Sequence, residues 1–154
     1  MTLENSTFGF NCLSIVFLLS IISCASQAPV TIGLRDGKLA PCPNKPNCVS
    51  SDHQGKASGI EPLVFKETPE TAWEKLKTAV INIGGTIEKD DNTYLWATFR
   101  SKIFRFVDDM EFRMDVKNKV IHLRSASRVG YSDIGVNKRR VEKLRSKFYQ
   151  EKEK

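Results

Sequence analysis

Hydrophobic residues between positions 69 and 83 recur at helical spacing and predict the first helix of the chain. Thr68, Pro69 and Glu70 form a helix start, with a hydroxyl to cap free amides, a proline in the first turn and an acid after it. The glycine pair at 84–85 predicts the helix end. The predicted core stripe is Ala72, Trp73, Leu76, Ala79, Val80 and Ile83.

Shorter apolar segments predict antiparallel strands, and one of them shows clean alternation. Met110, Phe112, Met114 and Val116 alternate with charged residues, which predicts a half-buried strand with one face in water. Other strands are expected at 62–65, 86–89, 94–99, 104–107 and 120–125.

A second helix is expected to begin near Asn137, with Val141, Leu144 and Phe148 on its apolar face. The order of elements favours the α+β class, with an antiparallel sheet and two helices packed on one face in two layers.

The 154 residues carry a net charge of +6 and 40% hydrophobic residues, which favours one globular domain. The positive charge is concentrated towards the C-terminus. This distribution is compatible with an anionic partner, but it can also reflect only a solvated, positively charged helix face. We expect no nucleic-acid partner, because the N-terminus indicates export.

Residues 8–23 form an apolar block of signal-peptide length that ends in Ile21-Ile22-Ser23-Cys24. This ending resembles the bacterial lipobox, in which the cysteine is acylated and becomes the mature N-terminus. No basic residue precedes the block, which departs from the pattern; an uncleaved anchor or a plain secretory signal is the alternative.

The predicted organisation is a signal peptide at 1–23, a lipid-anchored tether at 24–40, one α+β domain at 41–150 and a charged tail at 151–154. Acylated Cys24 would make membrane lipid a partner. Ala25, which follows the cysteine, favours the periplasmic face of the outer membrane, by resemblance to enterobacterial sorting.

Cys42 and Cys48 lie in a turn rich in proline and asparagine, and an even cysteine pair in an exported chain predicts a disulfide. A zinc site with His53 is the alternative, but the spacing is wide and a fourth ligand is missing. We therefore expect no metal and no cofactor.

The segment from Arg124 to Arg140 joins the last strand to the last helix, and its isolated apolar residues make no face. Cations directly after a helix start are locally unfavourable, and such violations tend to mark functional or strained sites. Free amides and arginines together suit an anion. The candidate anion or polar-ligand residues are Arg124, Ser125, Ser127, Arg128, Tyr131, Ser132, Asn137, Lys138 and Arg140.

A structural role for the same segment is the competing interpretation. Its arginines could pair with Asp108, Asp109 and Asp133, and Asp133 or Asn137 could cap the helix. Ser132 and Asp133 with His122 or His53 also supply the residue types of a hydrolase, but no motif fixes their geometry. His122 alone in a strand is more typical of a satisfied sheet residue, so we name no catalytic residue.

Three segments of the chain together resemble a known family: Leu39-Ala-Pro-Cys-Pro-Asn-Lys-Pro-Asn-Cys-Val-Ser-Ser51, Phe106-Val-Asp-Asp-Met-Glu-Phe112 and the stretch from Arg124 to Arg145. The chain is similar over residues 37–150 to the domain of unknown function 1499 family, here as a bacterial lipoprotein member. That resemblance implies no assigned activity, substrate or cofactor.

Three function classes remain open at this stage. The first is an uncharacterised envelope lipoprotein that binds a polar or anionic ligand or another envelope component. The second is a structural or interaction lipoprotein without a ligand, and the third is a hydrolase.

Overall fold

The computed structural model describes residues 31–52, 57–101 and 103–150. The predicted signal peptide, Cys24, His53 and the charged tail lie outside these residues. The described elements, in chain order, are β1 Leu34–Arg35, β2 Lys38–Leu39, β3 Cys48–Ser50, β4 Leu63–Val64, α1 Pro69–Asn82, β5 Thr86–Asp90, β6 Tyr94–Arg100, β7 Val107–Asp115, β8 Val120–Ser127 and α2 Val136–Tyr149.

The main sheet is antiparallel and follows the order β3-β8-β7-β6-β5, with β4 beside the first residues of β8. Glu111 lies opposite both Trp96 and Arg124, and Asp108 lies opposite Ser127. This register places the end of β6, the start of β7, the end of β8 and the start of β3 at one end of the sheet.

The main core forms between the helices and alternate residues of the central strands. Leu95, Met110, Phe112 and Leu123 are fully buried in one cluster. The same cluster contains the apolar residues of both helices, namely Ala72, Trp73, Leu76, Ala79, Val80, Val141, Leu144 and Phe148. The predicted α+β class is confirmed.

Helix α1 begins and ends where the sequence predicted. The Thr68 hydroxyl accepts a hydrogen bond from the Thr71 amide, which satisfies a free donor of the first turn. Gly84 has a φ of +90°, a conformation that glycine adopts without strain. A Cβ at Gly85 would lie only 2.7 Å from the Phe99 ring, so the chain here packs directly against β6.

The second face of the sheet was expected to be in water, and this prediction is wrong. Glu111 and Asp109 point to that face, yet they are 0% and 3% exposed. Residues 32–40 cover part of it, because Leu39 packs with Tyr94 and Trp96 in a smaller cluster. Alternation predicted correctly which side chains share a face but not what covers them.

The predicted tether also needs correction at its C-terminal part. Residues 34–39 form the β1–β2 hairpin, and Leu39 and Ala40 are buried. The Leu39 amide donates to the Asp52 carboxylate at 2.9 Å. The folded unit therefore begins before residue 41.

Two further local predictions are decided by the structure. Cys42 and Cys48 form a disulfide, as predicted, so neither offers a thiolate to zinc and the zinc interpretation is wrong. The predicted strand at 104–107 is wrong except for Val107, since Phe104 and Phe106 lie exposed in a loop. No helix in the described part of the chain is long and apolar enough to span a bilayer.

Candidate functional site

Arg124 lies in the middle of β8 and is the largest fully buried side chain, with 2% of its surface exposed. Its Nη1 donates to Glu111 Oε2 at 2.9 Å across the strand pair. Glu111 Oε1 accepts from the Tyr94 hydroxyl at 2.7 Å and from the Gly33 amide at 2.8 Å. The Arg124 Nε is buried without a partner among the described residues. Arg124 is thus enclosed in the domain and does not face a ligand.

Arg128 follows β8 and makes a two-bond ion pair with Asp109. Its Nε and Nη2 lie 2.9 Å and 2.8 Å from the two carboxylate oxygens. The Trp96 indole donates to the same carboxylate at 2.8 Å. The hydrogen bonds that Arg128 donates to Asp109 raise the pKa of its guanidinium. Arg128 is therefore fixed to the sheet, although 26% of its side chain stays exposed.

Arg140 lies in the second turn of α2 and links the helix to β7. Its Nη2 lies 2.5 Å from Asp108 Oδ2, and its guanidinium lies 4.8 Å from the Phe99 ring centroid. Its Nη1 also reaches the Ser125 hydroxyl at 3.1 Å. The cation near the helix start is thus compensated by a carboxylate and an aromatic face.

Asn137 connects four parts of the chain and is fully buried. Its Nδ2 donates to the Asn47 carbonyl and to the Ser127 hydroxyl, and its Oδ1 accepts from Ser125 at 2.6 Å. The Asp133 carboxylate accepts from the Asn137 amide at 2.7 Å and from the Gly135 amide at 2.8 Å. Asp133 thereby caps the start of α2 and occupies amides that an anion would need.

The proposed convergence of Arg124, Arg128 and Arg140 on an external anion is not what the structure shows. Each guanidinium is held by a carboxylate of β7, as the structural interpretation expected for Asp108 and Asp109. Asp133 serves as a helix cap in place of an ion-pair partner. Ser125, Ser127 and Asn137 connect the same elements from the inside.

An open groove of about 980 Å³ remains beside this network. The disulfide loop forms one wall, and the segment from Tyr131 to Lys138 forms the other. The two walls are joined because the Asn47 side-chain amide donates to the Gly130 carbonyl at 2.9 Å. Polar and charged lining residues are Asn44, Lys45, Ser58, Ser132, Asp133 and Lys138.

Sequence reasoning placed Tyr131, Ser132 and Lys138 among the candidate residues but missed Lys45 and Ser58. The two walls are far apart along the chain, and their contact depends on β3 pairing with β8. The sequence offered one signal that these walls belong together: the disulfide turn and the 124–145 segment both carry the resemblance to the same family.

A second polar cluster, also missed, lies farther along the covered face. Arg113 forms a two-bond ion pair with Asp52, and His122 Nδ1 lies 3.1 Å from both Asp52 Oδ1 and the Ser51 hydroxyl. Burial raises the pKa of Asp52, but the hydrogen bonds from Arg113 and the Leu39 amide outweigh it, so the pKa is lowered. Burial lowers the pKa of His122, while the Asp52 charge opposes that change.

The hydrolase hypothesis gains nothing from this geometry. The Ser132 hydroxyl accepts from the Ile134 amide, and His122 is held by Ser51 and Asp52. His122 is separated from Ser127 by about 17 Å of extended strand. The structure does not bring His122 to Ser132 as a general base.

The network around Asn137 predicts a large stability loss on truncation. Asn137→Ala would leave the Ser125 hydroxyl and part of Arg140 without their partner, which we expect to lower the free energy of unfolding by about 3 kcal/mol. Denaturant unfolding measures it. The neighbouring control Lys138→Ala, at an exposed position, should change it by less than about 0.5 kcal/mol. Equal losses of stability from the two substitutions would contradict a stabilising role of the Asn137 hydrogen-bond network.

Comparison with protein-family models identifies the family of the chain. The model of a protein family of unknown function, DUF1499, matches residues 38–148 of the chain. Comparison with curated proteins and with solved structures gave no match. The matched region includes the disulfide loop, every strand of the main sheet and nearly all of α2. The chain therefore belongs to the DUF1499 family of proteins of unknown function.

Proposed function

We propose that this protein is a lipid-anchored component of the bacterial cell envelope. We further propose that its groove beside the disulfide binds a polar, negatively charged envelope component. The observation that carries the binding proposal is the groove itself, an open space of about 980 Å³ between two walls that the fold holds together. The proposal of lipidation rests on the Ile21-Ile22-Ser23-Cys24 sequence.

Charge supports a negatively charged ligand. Lys45 and Lys138 line opposite walls, and no described residue forms an ion pair with either. Asp133 is the acid of the groove, but its carboxylate already accepts three hydrogen bonds from Gly135 and Asn137. The two ammonium groups are therefore the free charges that a ligand would meet.

Shape favours an extended polar molecule over a small ion. Tyr131 is 70% exposed and offers an aromatic face, while Ser58 and Ser132 add hydroxyls. Asp133 occupies the α2 amides that would otherwise hold a compact anion. A glycan or peptide that carries carboxylates can use the aromatic face, the hydroxyls and the two lysines together.

A structural lipoprotein without a ligand is the second candidate. The number of internal ion pairs on the two faces of the sheet favours it, because these side chains are accounted for by stability alone. A binding measurement at the groove separates the two candidates.

Lipidation predicts a defined mature N-terminus. Mass spectrometry of the protein from bacterial membranes should give a chain that begins at Cys24 and carries a diacylglycerol thioether and an N-acyl group. Cys24→Ala should abolish this product, whereas Cys12→Ala, within the predicted signal peptide, should leave it unchanged. A free Cys24 thiol in the mature protein would refute the anchor.

Ligand binding predicts localised changes in the amide spectrum. We expect soluble peptidoglycan fragments, which carry carboxylates, to shift the amide NMR signals of Asn44, Lys45 and residues 131–138, and inorganic phosphate to shift them much less. Lys45→Glu with Lys138→Glu should weaken binding by at least about tenfold, the equivalent of about 1.4 kcal/mol.

The matched control is Lys117→Glu with Lys143→Glu, which makes the same change in net charge at exposed positions away from the groove. It should retain binding. If neither probe shifts the groove signals, or if both double variants lose binding equally, the proposed ligand site is wrong and the structural candidate stands.

A further inference from the structure

One end of the sheet exposes an unusual number of large apolar side chains. We call this set the apolar tip: Ile103, Phe104, Phe106, Val129 and Ile134. Their exposed fractions are 83%, 72%, 54%, 56% and 84%. Single exposed apolar residues are ordinary, but a group of them at one place marks a surface for interaction.

Topology places the members of the apolar tip together. Loop 101–106 joins β6 to β7, and loop 128–135 joins β8 to α2. Arg100 lies opposite Val107 and Asp108 lies opposite Ser127, so both loops leave the same end of the sheet. The Arg128 amide also donates to the Val107 carbonyl at the base of both loops.

The β6–β7 loop holds its aromatic rings as a pair. The Ser101 amide donates to the Phe106 carbonyl at 2.8 Å, and the Phe106 amide donates to the Ser101 hydroxyl at 2.9 Å. The rings of Phe104 and Phe106 stack with their centroids 5.6 Å apart. The loop therefore presents two rings and Ile103 as one projection from a closed base.

Exposed cations outnumber exposed acids around the apolar tip, although the exposed Glu88 of β5 interacts electrostatically with Arg128. Besides the groove residues Lys45 and Lys138, the exposed basic residues at this end are Arg100 at the end of β6, Arg105 in the β6–β7 loop and Arg139 in the first turn of α2. Asp133 is the acid among the described residues of these loops, and it caps α2. The acids at the adjoining strand ends, Asp108 and Asp109, are paired with Arg140 and Arg128. This end thus combines exposed apolar side chains with a net positive charge.

We propose that this end of the domain docks on an anionic phospholipid surface, with the apolar tip at the level of the headgroups. Aromatic and aliphatic side chains among lysines and arginines are typical of interfacial membrane contacts. Each cation near such a surface contributes about 1 kcal/mol of attraction. Protein partners generally need a larger, shaped patch, whereas a bilayer accepts separate projecting side chains.

Proximity to the membrane rests on the proposed lipid anchor. The chain from Cys24 to Gly33 spans at most about 30 Å when fully extended. An acylated Cys24 would therefore hold the start of the domain no farther than this distance from the bilayer. Docking then places the groove near the membrane surface. The residues of the apolar tip are separate from Lys45 and Lys138, so each proposal can fail alone.

Tryptophan fluorescence tests the docking in the full chain. Phe104→Trp places an indole at the tip, while the native Trp73 and Trp96 are only 3% and 9% exposed and contribute a nearly constant background. The protein is reconstituted in vesicles that contain phosphatidylglycerol with brominated acyl chains. We expect a blue shift of the new emission and its quenching by roughly half or more.

Val116→Trp is the matched control, because Val116 is 55% exposed in the turn at the opposite end of β7. Its emission should remain unquenched. Arg100→Glu with Arg105→Glu, made in the Phe104→Trp chain, should reduce the quenching severalfold, as should high salt or replacement of phosphatidylglycerol by phosphatidylcholine.

Two results would overturn the proposal. One is an unquenched, water-like emission from the Phe104→Trp chain in anionic vesicles. The other is a blue shift that grows with protein concentration without vesicles, which would assign the tip to a second copy of the chain. Quenching at the tip in a protein whose groove binds neither peptidoglycan fragments nor phosphate would support docking and reject only the proposed ligand.

Discussion

The buried ion pair between Glu111 and Arg124 is the constraint on which the rest of the structure depends. Two opposite charges lie at the centre of the sheet with 0% and 2% of their surface exposed. Removing such groups from water costs several kcal/mol each unless hydrogen bonds and good geometry compensate. Compensation comes from the Tyr94 hydroxyl and the Gly33 amide, and burial together with the Glu111 charge raises the pKa of that tyrosine. The segment that leads into the N-terminal hairpin therefore supplies part of the compensation for the buried charge.

Acid–arginine pairs continue from this central pair to the end of the sheet. Asp109 holds Arg128, Asp108 holds Arg140, and Asn137 joins the helix to β8 and to the residue before Cys48. A row of acids on β7 thus accounts for most of the basic residues that make the 124–140 segment conspicuous. What remains open to partners lies outside this network, at the disulfide groove and the apolar tip.

Local signals in the sequence predicted the parts of the fold that depend on near neighbours. Thr68 as a cap, the glycines after α1 and the apolar stripe of that helix all act within one element, so the sequence contains the whole cause. The alternation around Phe112 likewise identified the face that packs on the helices. The Cys42–Cys48 disulfide was predictable because the two residues form an even cysteine pair in a chain that was expected to be exported.

Predictions failed where distant segments decide the outcome. Glu111 was expected in water because period-two alternation cannot show that residues 32–40 fold back over it. For Arg124, Arg128 and Arg140 the sequence allowed both a ligand site and pairing with Asp108 and Asp109, and it did not identify Glu111 as the partner of Arg124, which follows from the β7–β8 register. Lys45 was not predicted as a groove residue because its position beside the 131–138 segment depends on the pairing of β3 with β8.

A double-mutant cycle on the central ion pair tests the account most directly. The free energy of unfolding would be measured for Glu111→Leu, Arg124→Met and the double variant. The account predicts a loss of about 3–5 kcal/mol for each single variant, because each leaves a buried charge unpaired, and a much smaller loss for the double variant. Additive effects, or an Arg124→Met protein as stable as the parent chain, would contradict it.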